Sequence, residues 1–219
     1  MANNSQKNGA VNIEEQLNNS EAFLLKYKKA LIYGVIAIIV VIAAVILYKN
    51  YVAGPREEKA STELAKSQDL FNQEQYQQAL LGFQKIATDY SSTDAGNLAN
   101  LYTGLCYAQM GKWTEAVKYL NDFSGKDDQM ISPAAEGALG NAYAHVNQLD
   151  KAVDCLKKAA EMADNNSLSP TFLIQAGEIL ESQGKKDDAL KLYQEVKSKY
   201  FNSMQYQTID AYIERASTK

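Results

Sequence analysis

Small and large apolar residues recur along this chain in paired blocks at helical spacing, and short polar turns separate the blocks. Residues 104–107 read G-L-C-Y, residues 140–143 G-N-A-Y and residues 177–180 G-E-I-L, with a weaker copy, S-Q-D-L, at 67–70. Twelve residues after the first position of each stands an alanine: Ala79, Ala116, Ala152 and Ala189, spaced 37, 36 and 37 apart. Four residues further stands a bulky side chain: Phe83, Leu120, Leu156 and Tyr193. Residues three or four apart share a helix face. Each block therefore predicts two helices, the first offering a small contact point and a large neighbour, the second an alanine and a knob.

The punctuation agrees with this period. Gly111-Lys112, Asn147-Gln148 and Gly184-Lys185 precede three of the alanines and suit left-handed helix ends. Ser132-Pro133 and Ser169-Pro170 predict an N-cap Ser before a Pro at the first helical position. Near the C-terminus, Ile209, Tyr212, Ile213 and Ala216 form one stripe among polar neighbours. That pattern predicts an amphipathic helix over 204–216 covering the last pair.

Residues 30–48, ALIYGVIAIIVVIAAVILY, have no charge and no polar face. At ~1.5 Å per residue they span about 28 Å, close to a bilayer's hydrocarbon core. Tyr33, Tyr48 and Tyr51 stand near the ends, as interfacial aromatics do. We expect one uncleaved transmembrane helix here, contacting the lipid bilayer through residues 30–48, with a juxtamembrane linker at 49–59. Lys26, Lys28 and Lys29 cluster more tightly before the span than Lys49, Arg56 and Lys59 do after it. The N-terminus is therefore expected in the cytoplasm and the repeats outside. Residues 1–29 read as a polar tail, disordered over 1–20 except for a possible short helix at 12–17.

Charge and chemistry narrow the function classes. Residues 54–219 hold 17 Lys+Arg and 23 Asp+Glu, a formal net of −6. A general nucleic-acid surface needs the opposite sign. His145 is the only histidine, and no Cys or acidic residue stands at metal-ligand spacing around it. No nucleophile elbow or phosphate-cradling glycine loop occurs. We expect no catalytic residues, no metal and no cofactor. Cys106 and Cys155 read as buried free thiols, with a disulfide the minor reading if the repeats lie in an oxidising compartment. Trp113 reads as an aromatic covering a helix–turn–helix joint.

The G-x2-Y…A-x3-F order resembles the tetratricopeptide repeat over residues 60–201. The period here is two or three residues longer, and the family's early Trp is replaced by Glu63, Asn100, Glu136 and Leu173. The expected fold is all-α: an N-terminal transmembrane helix, then a solenoid of four helical hairpins over 60–202, then a capping helix over 203–219. The resemblance implies a partner-binding inner groove at Leu64, Gln68 and Phe71; Leu98, Leu101 and Leu105; Gly137, Asn141 and His145; and Ile174, Glu178 and Glu181. The leucine stripe fits either a ligand contact or an inter-unit contact. None of the twelve is Lys or Arg, so a clamp for a C-terminal carboxylate is not expected.

The order of tail, Lys-rich flank, span and repeats resembles a bacterial family of single-pass inner-membrane tetratricopeptide proteins. The family includes an ancillary subunit of the Sec translocon. The resemblance also rests on the approach Phe23-Leu24-Leu25-Lys26-Tyr27-Lys28-Lys29. It implies a non-catalytic adaptor on the periplasmic side of the membrane, with translocon, chaperones or exported chains as protein partners. The same residues are compatible with an assembly factor of an envelope machine, or with a membrane regulator signalling through its cytoplasmic tail.

Overall fold

The computed structural model describes the backbone of residues 5–218 and the side chains of residues 26–218. Among these residues there are helices, turns and loops, and no strand. The chain divides into two units, residues 1–55 and 56–219.

The first unit is built on one helix, α1 (Ser5–Tyr48), followed by a π-helical turn, Lys49–Ala53. The side chains of residues 30–48 are exposed throughout, and this is the helix long and apolar enough to cross a membrane. Residues 5–20, expected to be disordered outside a short helix at 12–17, carry helical backbone throughout. Helix nucleation is costly and extension is not, so an apolar nucleus can propagate into a polar tail containing Gln, Lys, Glu and Ala. Residues 1–4 of that tail lie outside the described residues.

In the second unit α2 (Gly54–Asn72), from its third residue onward, and α3 (Tyr76–Asp89) form the first hairpin. Then come α4 (Asp94–Gln109) with α5 (Trp113–Asp122), and α6 (Ile131–His145) with α7 (Leu149–Ala163). The fourth hairpin is α8 (Ser169–Ser182) with α9 (Lys186–Lys199), and α10 (Ile209–Ser217) packs on α9.

One turn geometry is repeated in all four hairpins. Glu74, Gly111, Asn147 and Gly184 adopt φ of 60°, 72°, 60° and 75°. The next N–H, of Gln75, Lys112, Gln148 and Lys185, donates 2.9 Å back to the carbonyl of Leu70, Tyr107, Tyr143 and Leu180. Those acceptors are the last residues of the four signatures. The left-handed residue's own N–H bonds to Phe71, Ala108, Ala144 and Glu181. This is the Schellman arrangement, which satisfies carbonyls that a helix end leaves open.

Above each turn the first helix meets the knob of the second. A Cβ at Gly104 would lie 2.6 Å from Leu120 Cγ, and one at Gly140 2.9 Å from Leu156 Cγ. One at Gly177 would lie 2.6 Å from Tyr193 Cζ. The repeat alanines Ala79, Ala116, Ala152 and Ala189 are all 0 % exposed, which puts the closest helix contact at the period read from the sequence.

Helix starts differ from expectation. Ser132 and Ser169 lie inside their helices rather than at the N-caps. For α6 the cap comes from Asp128, whose carboxylate accepts from the N–H groups of Met130, Ile131 and Ser132 and from the Ser132 hydroxyl. That hydroxyl bond, with the backbone donors, holds the Asp128 carboxyl down at about 2. For α8, Asn165 Oδ1 accepts from Ser167 and Leu168, and Ser169 Oγ donates 2.8 Å to Ala160 C=O. Both serines are buried, and each ties its helix to preceding chain instead of capping it.

Candidate functional site

In a stack of helical hairpins the first helices line the inner face. Here those are α2, α4, α6 and α8, and the twelve candidate groove residues divide by depth. Leu64, Leu101, Gly137 and Ile174, one per unit at the same repeat position, are buried. Leu101 lies in a core cluster with Ala116, Leu120, Ala135, Leu139 and Ala142, so this member of the leucine stripe is core. Gly137 shows why the position is closed: a Cβ there would come 2.9 Å from Phe172 Cδ1 on the next first helix. First helices of successive units thus touch at this position, leaving it no surface for a partner.

The position four residues on stays accessible. Gln68, Leu105 and Asn141 are half-buried and Glu178 is exposed, giving a row that crosses all four units. Leu98 flanks it, half-buried over a 220 Å³ hollow shared with Phe123 and the half-exposed Ile131. Phe71 is half-buried and makes edge contacts with Tyr76 (5.3 Å) and Tyr102 (5.7 Å). Tyr102 stacks on Phe83 at 5.0 Å, which makes an aromatic wall from the first hairpin into the second.

Two candidates have internal partners. His145 is exposed, and the Trp113 ring lies parallel to it at 3.7 Å, covering the end of α6 with the start of α5. Glu181 accepts from Tyr193 Oη (3.0 Å) and from the Arg215 guanidinium, which also stands 3.9 Å from Glu178. The Arg215 bond and the Tyr193 hydroxyl keep the Glu181 carboxyl below its ordinary range.

Arg215 is the residue that sequence reasoning missed. It stands 37 residues after Glu178, the repeat period itself, because α10 continues the register of a first helix. Ile209 falls likewise 37 after Phe172 and is fully buried. The inner row therefore runs Gln68, Leu105, Asn141, Glu178, Arg215, and its one cation is neutralised by two glutamates. Reading the period one unit beyond the last hairpin is the signal that would have found it.

In α10, Glu214 occupies the place of Gly104, Gly140 and Gly177. A glutamate there keeps a further second helix from approaching as closely as the glycines allow, and α10 presents it to solvent. Cys106 and Cys155 are free, and burial pushes both thiols up to about 12.

Known proteins place this geometry. The family described as tetratricopeptide repeat-like domain matches residues 21–212. Among solved structures, the tetratricopeptide-like repeats of a kinesin light chain from Podosopora anserina superpose with a TM-score of 0.59 at 13% identity. That match covers 73% of this chain and 85% of that one. MamA superposes with a TM-score of 0.56 at 17% identity, covering 73% of this chain and 90% of that one. Both likenesses concern the fold, and no curated protein matches the sequence. With the family matched along most of its length and its turns and knobs repeated four times, the chain belongs to the tetratricopeptide repeat-like domain family.

Proposed function

We propose that this protein is a membrane-tethered, non-catalytic scaffold that binds other proteins through the inner row of its repeats. Tetratricopeptide-like domains are protein-binding arrays, and the apolar helix over residues 30–48 supplies the tether. In this reading residues 1–29 face the cytoplasm, and residues 49–59 link the span to the repeats. The four repeats over 60–202 and the cap over 203–219 face the periplasm. The partners are proteins of the export route: translocon subunits, chaperones or newly exported chains. Tethering raises the local concentration of a membrane-bound partner without adding a contact.

The observation that supports the reading best is the accessible row from Leu98 and Leu105 to Asn141, apolar at one end and uncharged throughout. Such a surface suits an apolar segment of a partner chain better than a charged terminus. Leu105→Glu in the full chain tests it, because this side chain is half open to solvent and its loss should leave the fold standing. Crosslinking in membranes followed by identification of the captured proteins should show their loss, with helical content unchanged. Undiminished capture would refute the row as the binding site. Recovery of only division or secretion-machine proteins would refute the export assignment while leaving the scaffold intact.

A further inference from the structure

The two edges of the repeat array differ in what they expose. Each hairpin is antiparallel, so its turn lies on one edge. The start of α2 and the loops after α3, α5, α7 and α9 lie on the other. The turns are built from Gln73-Glu74-Gln75, Gly111-Lys112, Asn147-Gln148 and Gly184-Lys185, with no large apolar residue. Among the described residues 56–218, six large apolar side chains are exposed: Leu81, Met130, Ile131, Phe201, Met204 and Tyr206. All but Leu81, midway along α3, belong to the loop edge, and Met204 is 87 % exposed. Met130 and Met204 stand two periods apart, and the half-buried Leu168, one period after Ile131, stands in the unit between them.

The loop edge is held as one strip that begins where the chain enters it. Arg56 Nη2 donates 2.6 Å to Asp89 C=O, and the Glu57 carboxylate accepts from Asp94 N–H (2.8 Å) and Ala95 N–H (2.9 Å). Asn97 clasps Ser124 in both directions, Nδ2 donating to its carbonyl and Oδ1 accepting from its N–H, each at 2.8 Å. Asn165 Nδ2 donates 3.4 Å to Gln129 C=O. Lys126, Lys199 and Lys197 pair along the strip with Asp94, Asp164 and Asp210, at 2.7, 2.7 and 2.6 Å. With these lysines paired, the edge offers a membrane apolar side chains rather than attraction for anionic headgroups. Arg56 follows Tyr48 by eight residues, so this end of the strip stays within about 30 Å of the end of the apolar helix in any arrangement of the two units.

We propose that the loop edge rests on the bilayer that holds the span, with Met130, Ile131, Phe201, Met204 and Tyr206 entering its zwitterionic interface. The path of the chain names the occupant. The tether joins the repeats on this edge and keeps it at high local concentration against lipid, so shallow insertion of a few side chains is enough to hold it. Exposed apolar groups gathered on one side of a domain mark a surface that something covers, and Tyr206 suits the headgroup level. This inference rests on the tether reading, and it leaves the Gln68–Leu105–Asn141 row free for protein partners.

The test uses the full chain, one copy per disc, in phosphatidylcholine nanodiscs with plain or brominated acyl chains, bromine quenching any tryptophan that reaches it. Trp113 is the only tryptophan and stands beside the Gly111 turn on the opposite edge, so the parent should emit equally in both discs. Phe201→Trp and Met130→Trp should each add emission that is mostly lost in the brominated discs. Leu81→Trp should add emission that persists. Lys at both Phe201 and Met204, each exposed, should restore the Met130→Trp emission. Persistence of both edge signals, as a protein cover or a second copy would give, overturns the proposal. Equal quenching of Leu81→Trp, or no restoration by the two lysines, overturns it too. Val41→Trp within the span separates the two readings. Its quenching without that of the edge refutes the edge alone, and its persistence refutes the tether and the edge with it.

Discussion

Ser67 and Gly82 exchange the roles that the other hairpins assign to a glycine and a side chain. In units two to four the first helix carries Gly104, Gly140 or Gly177, and a second-helix side chain presses into the space. In the first unit the first helix carries Ser67, buried and donating to Glu63 C=O, and the glycine stands across from it. A Cβ on Gly82 would lie 3.2 Å from Ser67 Cβ and closer still to its hydroxyl. A double-mutant cycle isolates the contact, because helix propensity at position 82 cancels within it. Gly82→Ala should be less favourable with Ser67 present than in a Ser67→Gly background, by about 1 kcal/mol of coupling. Thermal melts of the four proteins measure it, and additive effects would show that the two residues do not compete for space.

Gly177 faces a ring that cannot swing aside, Tyr193 being fully buried. Gly177→Ala should overpack the fourth hairpin at a cost of about 1–3 kcal/mol, offset by about 1 kcal/mol of helix propensity. Hydrogen exchange should localise the loss to α8 and α9. Stabilisation there would contradict the close contact.

Leu101 and Leu105, one helical turn apart, should separate core from surface. Leu101→Glu places an unpaired charge in the cluster around Leu120 and Leu139 and should cost at least 3 kcal/mol or so, enough to lose cooperative melting. Leu105→Glu, at a side chain that packs on the edge of that cluster but is half open to solvent, should cost far less, about 1 kcal/mol, while removing partner capture. Similar melting of both variants would place Leu101 at the surface.

Asp128 should make α6 acid-sensitive. Its folded value of about 2 lies below the ordinary 3.8, so the unfolded chain binds the proton first. The contribution is therefore complete above about pH 4 and fades as pH falls toward 2. Asp128→Ala should cost about 1 kcal/mol near neutrality, as loss of an N-cap does. The gap between variant and parent should close on acidification, which paired melts along a pH series would show.

Topology has a direct readout. Glu115 is exposed near the start of α5, whereas Cys106 and Cys155 carry thiols raised by burial. Glu115→Cys in the full chain should react with a membrane-impermeant maleimide in intact spheroplasts. Labelling that requires lysis would place the repeats in the cytoplasm.

The legible parts of this molecule were those where one residue type has one physical use. Gly111, Asn147 and Gly184 announced left-handed turns because few other residues tolerate that backbone. Glu74 adopts the same conformation and gave no such notice. Alanines at a fixed period located the close contacts, yet the swap at Ser67 and Gly82 made the first copy look merely degenerate. Ser132 and Ser169 carry the composition of N-caps, but they fall two residues and one residue past the cap positions, and Asp128 and Asn165 organise the starts instead. In the groove, helical spacing put Leu101 and Leu105 on one stripe. Only the neighbouring first helix, approaching as Phe172 approaches Gly137, shows that one of two adjacent positions is closed.

The four hairpins share one hydrogen-bonded turn, so each behaves as a stiff vertebra, and compliance must reside in the joints between them. Those joints are unequal: α5 packs less extensively on α6 than α3 does on α4 or α7 on α8. The curvature of the superhelix is thus most readily adjusted between the second and third vertebrae. A load drawn along the array should stretch that joint first, leaving the stretches on either side to move as two stiff arms.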